Sequence, residues 1–263
     1  MRNKFFLTLV TSFVLTACAT SPTGRSQLMI MPDAEMDQMG LQSFSQIKQS
    51  TPISSNGRYN KFVNCVAKPI TQQVGGGQWE VVVFDSKELN AFALPGKKIG
   101  VYSGLINLVD NPAELAAVIG HEIGHVLAKH SNERLSQEKA LGTGLGVVSA
   151  VVGTPTSALG QVGMAALGVG AQYGVLLPYS RTHESEADLI GLDLMARSGF
   201  DPRQSVRLWQ KMAQANQGQE PTEFLSTHPA NATRIEDLNN NMPKAMQTYQ
   251  QAQAAGRHPK CSK

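Results

Sequence analysis

The sequence predicts an α+β fold, mainly α, with a small β-sheet beside one long buried helix, on three observations. Helical spacing of apolar residues covers most of the chain outside its N-terminus and an uncharged stretch over 140–180. Two short runs, Trp79–Asp85 and Lys97–Tyr102, have the composition and flanking turn residues of strands. The string His121-Glu122-Ile123-Gly124-His125 puts two imidazoles four residues apart, a spacing that brings them together only on a helix.

The N-terminus reads as a leader. Met1-Arg2-Asn3-Lys4 is basic, and Phe5 to Val14 is an apolar core too short to span a bilayer. Leu15-Thr16-Ala17-Cys18 resembles a bacterial lipoprotein signal, with Cys18 the lipidated residue and Ala19 matching the pattern of outer-membrane sorting. The expectation is a signal peptide over 1–17, a lipidated polar tether over 18–33, and one domain over 34–263, anchored in the outer membrane and facing the periplasm. Helices are expected over Ala34–Gln49 and Gly57–Val74. After the Pro95-Gly96 turn, an edge strand at Lys97–Tyr102 would let an extended substrate add as a further strand.

Asp110-Asn111-Pro112-Ala113-Glu114 is a helix start, with Asn111 as N-cap, Pro112 at the first helical position and Glu114 at the third. Leu115, Val118, Ile119, Ile123, Val126 and Leu127 continue an apolar face. On this helix His121 and His125 can reach one cation, and Glu122 lies about a quarter-turn round, placed to deprotonate a water. A third ligand is available in Arg181-Thr182-His183-Glu184-Ser185-Glu186-Ala187-Asp188. There Glu184 and Asp188 are four apart and share a helix face. One carboxylate can bind metal while the other orients a ligand imidazole. Further helices are expected from Asp201-Pro202 through Trp209 to about Gln217, and from Pro229 along Ile235, Leu238 and Met242.

These motifs together resemble the HtpX/Oma-type zinc metallopeptidases, relatives of the CaaX prenyl protease. Besides HEIGH and the Glu184-x-x-x-Asp188 pair, Asn90-Ala91-Phe92-Ala93-Leu94-Pro95-Gly96 resembles the family's segment before the zinc helix. Ser226-Thr227-His228-Pro229 with Arg234 resembles its C-terminal His-Pro motif. The resemblance spans roughly residues 80 to 236 and implies a zincin-like metalloprotease domain. It implies one zinc ion on His121, His125 and Glu184, with Glu122 activating the water. Asp188 would support a ligand imidazole, His228 would stabilise the oxyanion, and Arg234 would brace the acidic site. Asn90, Ala91 and Phe92 are the expected substrate-binding residues. His183 and Glu186 are expected to point away from the metal, and His130 and His258, which match no motif, to lie at the surface.

The net charge of +3 falls to +1 once Arg2 and Lys4 leave with the leader, and no basic block gives a case for nucleic acid. With Cys18 lipidated, Cys65 and Cys261 form an even pair that an oxidising compartment would join; two free thiols are the alternative. Residues 140–180 carry no charge and many glycines, which argues against a stable membrane span. A helical lid or hairpin over the cleft, or a surface for self-association or an envelope-protein partner, is expected there; a membrane-associated segment, which the family resemblance implies for relatives in this region, is the alternative. Two functions follow. One is a zinc endopeptidase acting on unfolded or misassembled cell-envelope proteins in periplasmic quality control. The other is a lipoprotein chaperone or assembly factor whose metal site is gated or vestigial.

Overall fold

The computed structural model describes residues 18–75, 77–140, 179–215, 223–229 and 232–263. The leader expected over 1–17, and nearly all of the lid or partner surface expected over 140–180, lie outside these residues.

The stretch expected as a polar tether contains an antiparallel hairpin of β1 (Cys18–Thr20) and β2 (Ser26–Leu28). Ser21 and Gln27 in it are buried. Its polar composition hides this packing, because the contacts it makes are with buried polar groups of the domain.

Helices α1 (Asp33–Ser50) and α2 (Gly57–Gln73) follow as expected. Asn56 caps α2 by accepting from the backbone N–H groups of Arg58 and Tyr59. Its buried face of Phe62, Val63, Val66 and Ile70 joins the main core. The sheet comprises β3 (Glu80–Phe84), β4 (Ala91–Leu94) and β5 (Lys98–Tyr102), in the order β3-β5-β4. β3 runs parallel to β5 and β4 antiparallel to it. The strand expected at the edge is therefore the central one, and β3 and β4 are the outer strands. The cause is the turn after Pro95, where Gly96 and Lys97 both have positive φ (79° and 61°). That turn folds β4 back on β5 as a hairpin, and β3 takes the other side of β5.

Helix α3 (Ser103–Leu108) leads into α4 (Pro112–Leu127), which carries the HEIGH string. Asn111 accepts from the N–H groups of Ala113 and Glu114, and Glu114 accepts from the N–H of Asp110. Every residue from Glu114 to His125 is buried, so α4 is the central helix. Lys129 then adopts a left-handed backbone (φ 51°), and helical turns resume over 130–140.

Helix α5 (Arg181–Arg197), capped by Ser180, lies against α4. The two backbones nearly touch: a Cβ at Gly191 would stand 2.6 Å from the His121 nitrogen, and one at Gly124 2.8 Å from the Ala187 carbonyl oxygen. The glycines thus set the distance between the two ligand-bearing helices. Helices α6 (Arg203–Ala215), α7 (Glu223–Thr227) and α8 (Ala232–Ala254) complete the domain. The last helix begins later than Pro229 and runs past Pro243 to Ala254. Cys65 of α2 is bonded to Cys261 in the C-terminal tail, with the Cα atoms 5.7 Å apart. No helix among the described residues is long and apolar enough to cross a membrane.

Candidate active site

Helix α4 presents His121 and His125 one turn apart, α5 brings Glu184 to them, and the segment after α7 brings His228. One donor atom from each of these four buried residues lies within 4.8 Å of all the others. His121 Nε2 is 3.1 Å from His125 Nε2 and 3.2 Å from His228 Nδ1. Glu184 Oε1 lies 3.0 Å from His228 Nδ1 and 3.3 Å from His125 Nε2.

This arrangement fits a metal ion. The nearest partner of His121 Nδ1 is Asp188 Oδ1 at 2.9 Å, so Nδ1 carries the proton and Nε2 offers its lone pair to the cluster. His125 likewise turns Nε2 inward, its Nδ1 lying 2.9 Å from His130 Nδ1. Lone pairs converging at these distances repel one another unless a cation accepts them. Glu122 Oε1 is buried with no hydrogen-bond partner, a poor arrangement for a closed core and a suitable one for a base facing its substrate.

Burial pushes the Glu122 carboxyl above its usual range, opposed by nearby imidazoles and by the Ala93 N–H of β4. A raised pKa makes it a better proton acceptor. Burial also opposes ionisation of Asp188, but Arg234 outweighs it and holds that carboxyl below its ordinary value. Arg234 donates through Nε and Nη2 to the two oxygens of Asp188, at 2.6 and 2.8 Å, and its Nη1 lies 2.8 Å from Glu184 Oε2. The guanidinium sits 3.7 Å over the Trp209 ring. Burial works against charge on His228, yet the carboxylates of Glu122 and Glu184 prevail and raise its pKa. His228 Nε2 is 3.5 Å from Glu122 Oε1.

The expected site residues His121, Glu122, His125, Glu184, Asp188, His228 and Arg234 therefore come together. Of the expected substrate-binding residues Asn90, Ala91 and Phe92, the last two open strand β4. All three are buried, and Phe92 packs among Phe44, Phe84 and Tyr102. What β4 contributes is backbone, through Ala93 beside Glu122. A groove of about 480 Å³, lined in part by Trp79, Pro95, Lys97 and Asn132, reaches His125.

His130 corrects an expectation: it is fully buried, not at the surface. On a continuous helix, residues five apart stand about 140° round from each other. The left-handed Lys129 breaks α4 and turns His130 back under His125. His183 and Glu186 stay out of the ligand set, as expected, but they too are buried, in a second polar cluster with Glu133 and Arg25. Tyr179, also unforeseen, stacks on His125 with the ring centroids 4.0 Å apart. One signal for the second cluster was available: acids and a histidine on every side of one helical turn, more than a single solvated face needs. His258 is exposed.

The model for peptidase family M48 matches residues 55–242, which takes in all seven of these site residues. The chain belongs to peptidase family M48. Among its M48 relatives, the mitochondrial metalloendopeptidase OMA1 of Saccharomyces cerevisiae is 36% identical over 67% of this chain and 51% of its own length. The bovine mitochondrial metalloendopeptidase OMA1 is 32% identical over 89% of this chain and 48% of its own. The beta-barrel assembly-enhancing protease of Escherichia coli K12 is 30% identical over 77% of this chain and 43% of its own. The chain thus spans about half the length of these relatives, or less.

These matches overturn the outer-membrane, periplasm-facing location. Relatives from yeast, plant and cattle that match at 32–37% identity are named as mitochondrial OMA1 proteins, so the catalytic domain does not carry the outer-membrane assignment. The outer-membrane reading rested on the leader, and sorting signals do not record the shared ancestry of the catalytic domain.

Proposed function

We propose that this chain is a zinc-dependent endopeptidase that hydrolyses peptide bonds of unfolded or misassembled proteins. The observation that carries the reading is the convergence of His121, His125 and Glu184 beside the buried Glu122 Oε1, which accepts no hydrogen bond. Two imidazoles and one carboxylate make a donor set suited to catalytic zinc. Bound zinc would supply Lewis acidity, polarising a water and a peptide carbonyl.

The protein's own residues do the rest. Glu122 takes a proton from the attacking water and passes it to the leaving amine. Asp188, held by Arg234, fixes the His121 tautomer. His228 Nε2, next to Glu122, donates a hydrogen bond to the oxyanion as it develops. The backbone of edge strand β4 lies where an extended chain can pair with it, which demands little of the substrate's sequence. Such tolerance suits unfolded polypeptides, and the name of the beta-barrel assembly-enhancing relatives agrees with a role in protein quality control.

The test is digestion of casein with and without a chelator, beside Glu122→Gln. The variant is expected to keep its zinc and lose about 10²–10⁴-fold in rate. Full activity with zinc retained would refute the role of Glu122.

One observation favours a second reading, a chaperone or assembly factor with a gated metal site. His228 Nδ1 reaches the same point as the three other donors, so coordination by His228 would close the position that water needs. His228→Ala separates the two: activity rises if His228 is a gate and falls if it serves the oxyanion.

A further inference from the structure

His125 Nδ1 has no carboxylate partner of the kind that Asp188 provides for His121. It faces another imidazole. With Nε2 of His125 turned to the metal, its Nδ1 must carry the proton, so His130 Nδ1 is the acceptor across 2.9 Å. The proton of His130 then resides on Nε2, which lies 3.1 Å from Glu186 Oε2. Each hydrogen bond in the series fixes the direction of the next.

Glu186 is in turn held by the N-terminal hairpin. Arg25 donates to its Oε2 through Nε at 3.0 Å and Nη2 at 2.9 Å, and Thr23 donates to its Oε1. The same guanidinium donates to both oxygens of Glu133 at 2.6 Å, and Glu133 also accepts from Gln27 and pairs with His183. His130, Glu133, His183 and Glu186 are all buried, so this is an ordered network with a single sense of donors and acceptors. Arg25 lies outside the residues that match the family, so its part is supplied by the chain beyond that match.

We infer that His130, oriented by Glu186 and Arg25, is a positioning residue for His125, and that the N-terminal hairpin is needed for full metal affinity. The inference rests on the reading that His125 holds the metal.

The experiment uses the full chain and zinc itself, with affinity measured by chelator competition and the geometry by the visible spectrum of the cobalt-substituted protein. His130→Phe keeps the ring volume and removes the acceptor. It is expected to weaken zinc binding about 10–100-fold and to alter the cobalt bands, while His130→Asn, which restores an acceptor, recovers much of the loss. Arg25→Ala, at a partly exposed position, is expected to weaken binding several-fold and covers the case in which His130→Phe does not fold. Long-range ¹H–¹⁵N spectra of the zinc-loaded wild type should find His125 protonated at Nδ1 and His130 at Nε2. Wild-type affinity and cobalt spectrum in either folded variant, or the opposite tautomers, would overturn the inference. A wild-type chain that binds no zinc would instead sink the reading of the site itself.

Discussion

The two imidazoles of α4 stand one turn apart and are fixed from behind by different means. His121 leans on Asp188, whose charge is balanced by Arg234 from α8 under Trp209, all deep in the core. His125 leans on a neutral-type acceptor, His130, and a carboxylate enters only one step further out, tied to a partly exposed arginine of a surface hairpin. Burial pushes the pKa of His130 down to about 4, so the acceptor is uncharged at neutral pH. The comparison teaches that one ligand geometry is maintained by a closed ion pair on one side and by a removable strap on the other.

Breaking the His121 side should have the larger effect. Asp188→Ala leaves Arg234 buried without its main partner, and loss of one member of a buried pair costs about 3–5 kcal/mol. Chemical denaturation of Asp188→Ala and Arg234→Ala should find both in that range, with zinc binding weakened as well. A change below about 1 kcal/mol would mean that this ion pair does not anchor the site.

The covalent staple comes next. Cys65–Cys261 ties α2 to the tail that follows the helix bearing Arg234, whereas the hairpin bearing Arg25 is held by polar contacts. Cys65→Ser with Cys261→Ser should lower stability by about 2–4 kcal/mol and leave cleavage of casein at low temperature nearly intact. Denaturation with and without reductant checks it.

Gly191→Ala acts on both sides at once. Its Cβ would meet the backbone of His121 at 2.6 Å, so α4 and α5 must separate. A cost of about 1–3 kcal/mol is expected, with weaker zinc binding through a displaced Glu184. The smallest effect belongs to the strap. Arg25→Ala should cost about 1–2 kcal/mol globally, yet speed amide exchange in β1 and β2 well ahead of α8. Equal protection in both regions would erase the contrast.

The legible part of this protein was what a regular helix repeats. The cap at Asn111, the i, i+4 pairs His121/His125 and Glu184/Asp188, and the spans of α1 and α2 all follow from local rules, and the site they build was readable with them. The sheet order was not, because the decisive turn at Gly96-Lys97 needs a left-handed lysine that propensity does not announce. The buried network behind His125 was illegible for a related reason. Arg25, Glu133 and Glu186 each look like a solvated charge until the hairpin is folded against the domain. The place of the Phe92 ring was illegible too: the residue lies in a motif beside the site, and its ring fills a core.

The left-handed backbone at Lys129 has a consequence for anyone moving this site elsewhere. A graft that carried only the HEIGH helix would transplant two donors, but it would leave His125 without an acceptor for its Nδ1 proton, since a straight continuation swings the next histidine away. The smallest portable unit therefore extends through the bend to His130 and must bring with it a carboxylate from a second helix.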